Sequence, residues 1–157
     1  MPAAEATVED LLAERAIHRT LIRIARAMDE RDWTALDDLV LAEATADLGA
    51  GNLTGLAAIV TSIRSFLDDC GPSQHLLGNV LIDVDGDTAT SRAYVSDLHV
   101  GTGEAAHLTF QTLGDYHDEW ARRGGRWLLR RRVKLSRAHT GSFEALGPGP
   151  AGWSPRT

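Results

Sequence analysis

Apolar side chains recur at helical spacing near the start of the chain, at Ile17, Leu21, Ala25 and Met28. Thr7-Val-Glu-Asp10 precedes them like a capping box, so the pattern predicts a helix to about Met28. Asp29 continues the buried stripe, where a carboxylate is either freed by the end of the helix or held inward. Asp32 can cap a short second helix, Trp33 to Val40. Ala42 to Leu48 reads as a short strand, and a third helix, Leu56 to Asp69, buries Ile59, Ile63, Phe66 and Leu67 before Gly71-Pro72 breaks it.

From Ser73 the period changes from helical to two. Ser73 to His99 reads as two strands joined by a tight I′ turn centred on Asp85-Gly86. Strict alternation puts His75, Leu77, Asn79 and Leu81 on one face of the first strand, and Ala93, Val95, Asp97 and His99 on one face of the second. Folding at the turn brings the two histidines together. His107 to about Ala121 and Arg126 to about Ala138 predict two more long strands, the last presenting Trp127, Leu129, Arg131, Val133 and Leu135 together. Helices followed by four antiparallel strands make an α+β class: three helices packed on a strongly curved sheet that encloses a cone-shaped, mostly apolar cavity. The domain spans residues 9–140, between an arm over 1–8 and a flexible Gly/Pro-rich tail over 141–157.

Composition narrows the classes. With 157 residues, 43% of them hydrophobic and 24% charged, the chain suits one globular domain. A net charge of −6 argues against nucleic-acid and membrane-surface partners, and the run MPAAEATVEDLLAER is too charged for a signal peptide, so a cytoplasmic protein is expected. The basic residues are arginines except for Lys134, and the triplet Arg130-Arg131-Arg132 reads as a solvated edge. Cys70 stands alone, which excludes an intrachain disulfide and a Cys-based zinc site. No H-x-H or H-x-x-x-H pair anchors a metal, so none is expected. His18, His107, His117 and His139 read as surface or packing residues.

The phrases RAMDERDWTALDDL, GPSQHLLGNVLIDVDGDTAT, YVSDLH and GDYHDEW, with GGRWLLRRR after them, resemble the SnoaL-like group of the nuclear transport factor 2 superfamily over roughly residues 9 to 138. The resemblance implies a cone-shaped α+β barrel, usually a homodimer or homotrimer, in a superfamily that holds dehydratases, isomerases, cyclases and non-catalytic binders. It further implies that Asp29 contacts a catalytic histidine at His75. His99 matches a second histidine of scytalone dehydratase, and Asp97 lies near an acidic position of bile-acid dehydratase. Relatives place a tyrosine in the first helix at positions held here by Ile24 or Met28, so the phenol that polarises a substrate carbonyl is missing from both.

Residue chemistry points the same way. A carboxylate on one imidazole nitrogen fixes the tautomer and raises basicity at the other, making His75 a general base. His99 could then act as acid or bind a substrate oxygen, Asp97 could orient His99 or act as a second acid, and Arg131 could stabilise an oxyanion. Ile24, Met28, Leu77, Val95, Phe110 and Tyr116 complete the expected substrate wall. The expected activity is cofactor-independent acid–base chemistry (dehydration, isomerisation or cyclisation) on a small hydrophobic polyketide-, terpenoid- or steroid-like molecule. Two rivals stay open: a non-catalytic binding or dimerisation module, and a structural small subunit like that of ring-hydroxylating dioxygenases.

Overall fold

The computed structural model describes residues 6–155. Helix α1 (Val8–Glu30) begins at Thr7, whose hydroxyl accepts from the Asp10 backbone N–H while the Asp10 carboxylate accepts from the Thr7 backbone, a complete capping box. A 3-10 segment (Trp33–Asp38) follows, capped by Asp32. Strands β1 (Val40–Asp47) and β2 (Asn52–Thr54) then lead into helix α2 (Leu56–Leu67). Four long strands complete the sheet: β3 (Ser73–Asp85), β4 (Thr88–Val100), β5 (Thr109–Arg123) and β6 (Arg126–Gly141).

The sheet order is β2-β1-β6-β5-β4-β3, antiparallel throughout except where β1 runs parallel to β6. This is the expected cone-like α+β architecture, with the helices on the concave face of an open, mixed sheet. Ile17, Leu21, Leu36, Leu39 and Trp120 are fully buried where helix and sheet meet. Truncating one such aliphatic side chain to Ala typically costs about 2–5 kcal/mol. No helix of the described residues is long and apolar enough to cross a membrane.

The hairpin turn differs from the expected type, and bulges re-aim side chains on β3 and β6. The β3–β4 turn is Gly86-Asp87, closed by the Asp85–Thr88 pair, with positive φ at Gly86 only, so it resembles type II′ instead of I′. A bulge between Gly78 and Leu81, with Asn79 at φ 49°, reverses the face of β3, leaving Leu81 exposed and turning Val80 and Ile82 toward the core. In β6 a second bulge pairs Glu119 with Arg131 but Trp120 with Leu129, leaving Arg130 as the extra residue. Arg131 therefore points outward and is exposed, and Arg132 turns inward and is buried. The arginine triplet is accordingly not wholly a solvated edge.

The expected arm includes residues 1–5, which lie outside the described residues. The stretch from residue 141, expected to be a flexible tail, packs against the body. Gly147 and Gly149 N–H groups donate to the Phe66 and Ser65 carbonyls at 2.8 and 3.1 Å, and Trp153 meets Phe66 edge-on at 4.9 Å between ring centroids.

Candidate active site

The site starts where α1 stops. Arg31 closes the helix in the left-handed region at φ 57°, and its guanidinium donates to the carbonyls of Met28, Leu67 and Gly71 and to Ser73 Oγ. That clamp holds the end of α1 against the start of β3. Asp29 Oδ1 consequently accepts from His75 Nδ1–H at 2.6 Å and from the Ser73 hydroxyl at 3.0 Å, while Oδ2 accepts from the His75 backbone N–H at 2.9 Å. Burial opposes the Asp29 charge, but these bonds outweigh it and hold the carboxyl below the usual carboxylate range. An ionised partner on Nδ1 fixes the proton there and leaves His75 Nε2 as the basic nitrogen.

Antiparallel register sets the next group. His75 pairs with Asp97, Ser73 with His99, and Asp97 with Thr112, so one face carries both histidines and the second carboxylate. Asp97 Oδ2 is the centre: Lys134 Nζ lies 2.8 Å from it, His99 Nε2 3.8 Å and His75 Nε2 4.0 Å. Thr112 donates to Asp97 Oδ1 and accepts from Lys134 Nζ at 2.9 Å. Burial alone would raise the Asp97 carboxyl. The Lys134 ammonium, His75 and the hydrogen bonds from Lys134 and Thr112 hold it below its usual range instead. Asp97 is therefore an anion and a poor fit for the second-acid role.

His99 donates from Nδ1–H to the Phe110 carbonyl at 3.2 Å, and burial, only partly offset by Asp97, depresses its pKa. The neutral ring thus turns an unprotonated Nε2 toward Asp97 and accepts rather than donates.

Ligating atoms of His75, Asp97 and His99 lie within 4.8 Å of one another, a spacing that suits a cation. The Lys134 ammonium is already seated on the shared Asp97 oxygen. This donor set is matched by a lysine and does not fit a metal ion without displacing it.

These groups line a cavity of about 760 Å³. Ile24, Met28, Phe110 and Tyr116 line it as expected. Leu77 and Val95 do not: they pair with each other further along the hairpin, Leu77 packing against the core where α1 covers β3, and Val95 wholly enclosed. In place of Arg131, Arg132 forms the inner wall. It grips buried Asp118 through two bonds of 2.8 and 2.7 Å and lies 3.9 Å from the centre of the Tyr116 ring. Burial pushes the Tyr116 phenol up, so it stays protonated. The cavity mouth is aromatic: Phe66, Phe143 and Trp153 line it, and exposed His139 packs on Phe110 and Phe143.

Sequence reasoning missed Arg31, Thr112, Arg132, Lys134 and the aromatic tail. Of these, only Lys134 carried a signal, as the single lysine in an arginine-rich chain.

Comparison with known proteins agrees with the fold. The chain is 29% identical over 132 residues to the uncharacterized protein Rv2910c of Mycobacterium tuberculosis, covering 82% of this chain and 88% of that protein. A proposed aromatic ring hydroxylase of Novosphingobium aromaticivorans superposes with a TM-score of 0.77 at 26% identity, covering 90% of this chain and 99% of the other. Two further structures share the fold at lower identity. A type 2 hexachlorocyclohexane dehydrochlorinase, LinA, has a TM-score of 0.77 at 17%, covering 94% and 100% of the two chains. A proposed scytalone dehydratase of N. aromaticivorans has 0.74 at 22%, covering 93% and 97%. The SnoaL-like domain model matches residues 9–133, and the chain belongs to that family.

Proposed function

We propose that this protein is a cofactor-independent acid–base enzyme of the lyase or isomerase type, acting on a small hydrophobic ring compound. The observation that carries the reading is the Asp29–His75 pair at the cavity wall: an ionised carboxylate on Nδ1 and a basic Nε2 beside a largely apolar space. His75 Nε2 removes a proton from an activated carbon. Charge then collects on a neighbouring oxygen or leaves with a departing group, as in dehydration or isomerisation. Dehydratase and dehydrochlorinase names among the structural neighbours denote eliminations and support this class. The aromatic mouth of Phe66, Phe143 and Trp153 favours flat or ring-shaped guests, consistent with polyketide-, terpenoid- or steroid-like molecules.

The test is deuterium uptake at the α-carbon of cyclic ketones, followed with wild type and His75→Ala. Exchange that requires His75 supports the base assignment; equal exchange by both proteins refutes it and leaves a binding module of the same fold.

We also propose a homodimer or homotrimer. Leu76, Tyr94, Leu98, Leu113 and Leu135 are exposed on the outer face of the sheet, an apolar surface suited to a second copy. A monomeric mass in solution would refute this.

A further inference from the structure

We propose that Lys134 is a catalytic residue of this cavity, its ammonium holding the substrate oxygen on which negative charge collects while His75 takes a proton from carbon. This rests on the proton-abstraction reading above and supplies the electrophilic group which that reading lacks.

Lys134 Nζ donates to Asp97 Oδ2 at 2.8 Å and to Thr112 Oγ1 at 2.9 Å, which engages two of the three ammonium hydrogens. The side chain lines the cavity, so the third is available to a guest. His75 Nε2 and Lys134 Nζ both lie within 4.0 Å of the same Asp97 oxygen, so a carbonyl and its α-carbon can reach both groups at once.

The neighbouring groups are engaged elsewhere or uncharged. Asp97 is an anion, and His99 has its only proton on Nδ1, bonded to the Phe110 carbonyl. Arg132 is bound through Nε and Nη2 to Asp118. Ile24 and Met28 occupy the first-helix positions and offer no donor. Tyr116, Thr45, Ser62 and Ser136 bring hydroxyl donors to the wall, but none carries a charge to match an oxyanion.

The fold also makes room for the lysine. Lys134 pairs with Tyr116 across β5 and β6, yet its amine reaches Asp97 on β4. The side chain passes over Gly114: a Cβ there would stand 3.4 Å from Lys134 Cε and 2.9 Å from the Leu135 carbonyl oxygen. A missing side chain thus makes room for the single lysine of a chain whose other basic residues are arginines.

For a β-hydroxy carbonyl the step balances without a co-reactant. His75 Nε2 takes the α-proton, and the C–H pair becomes the enolate, whose oxygen accepts from Lys134. Collapse of the enolate then expels the β-hydroxyl, which leaves as water with the proton from His75. Lys134 remains protonated throughout.

The test uses 4-nitrophenol in alkaline buffer, where the probe is already an anion and binding needs no base, with 4-nitrotoluene as its neutral counterpart. Wild type should bind the phenolate, and Lys134→Met should weaken that binding by roughly tenfold or more, as expected for a charged hydrogen bond, without changing nitrotoluene affinity more than about twofold. Phenolate binding needs no proton transfer and is read apart from the deuterium exchange that depends on His75, so a failed base assignment and a failed donor assignment are separable. If Lys134→Met does not fold because Asp97 is left unpaired, Asp97→Asn/Lys134→Met is compared with Asp97→Asn alone, and the same loss is expected. Equal phenolate binding with and without the lysine overturns the proposal. So does trapping of a covalent adduct on Lys134 when wild type is treated with a cyclic ketone and borohydride, which would make the amine a nucleophile.

Discussion

Asp29 holds His75 at two points, accepting from the ring Nδ1–H through one oxygen at 2.6 Å and from the backbone N–H through the other at 2.9 Å. One carboxylate therefore sets both the position of the strand and the tautomer of the ring it carries. An amide cannot do both, because one of its two ends is a donor. Asp29→Asn is expected to retain the fold by circular dichroism and to lower deuterium exchange by about a hundredfold or more, the usual worth of a positioned base.

Arg132 and Asp118 form a buried ion pair in the wall beside Tyr116. Removing one partner leaves the other charge in a low-dielectric setting. Asp118→Asn should cost about 3–5 kcal/mol in urea unfolding, whereas replacing both partners with apolar residues of similar volume should recover most of that loss. The exposed pair Arg126–Asp38 should show no measurable coupling in the same assay.

Stability should depend on pH in two windows. The depressed His99 pKa means that the unfolded chain binds more protons just below the free imidazole value, so stability should fall as pH drops from about 6.5 toward the lower folded value. Asp29 and Asp97 are depressed as carboxylates. Their contribution is present above the free carboxyl value of about 4 and is lost as pH falls through their lower folded values. Urea midpoints measured across pH should show both declines, with the upper one absent in His99→Gln.

Trp153 bridges Phe66 and Phe143 at the cavity mouth, with centroid distances of 4.9 and 5.8 Å. Trp153→Ala should weaken 4-nitrotoluene binding by about three- to tenfold, the range expected for an aromatic contact. Calorimetric titration would show it. Unchanged affinity would mean that the tail covers the mouth without touching the guest.

Much of this architecture is legible in the residue pattern. The capping box at Thr7, the helical stripe through Met28 and the Gly71-Pro72 break each act over a few residues, and each is found where the sequence puts it. His75, Asp97 and His99 meet because the register holds without interruption from Ser73–His99 to Leu77–Val95. Where a bulge intervenes, the same reasoning fails. Leu81 and Arg131 take the wrong face because an extra residue is a property of strand pairing, invisible to alternation along one strand. The tail failed for another reason: glycine and proline announce turns but not where those turns deliver Phe143 and Trp153.

The bulge at Arg130 has a consequence for how such a pocket can change. Upstream of it, β6 turns an apolar Leu129 into the cavity; downstream it turns in Arg132 and Lys134. Deleting that single residue would restore simple pairing and keep Arg132 and Lys134 inward, but inserting one residue opposite it, between Glu119 and Trp120, would bring Arg131 inward and send Arg132 and Lys134 to solvent. The chemical character of this wall is thus set by arithmetic, the count of residues between two hydrogen-bonded pairs. A single inserted residue would rewrite it faster than substitution.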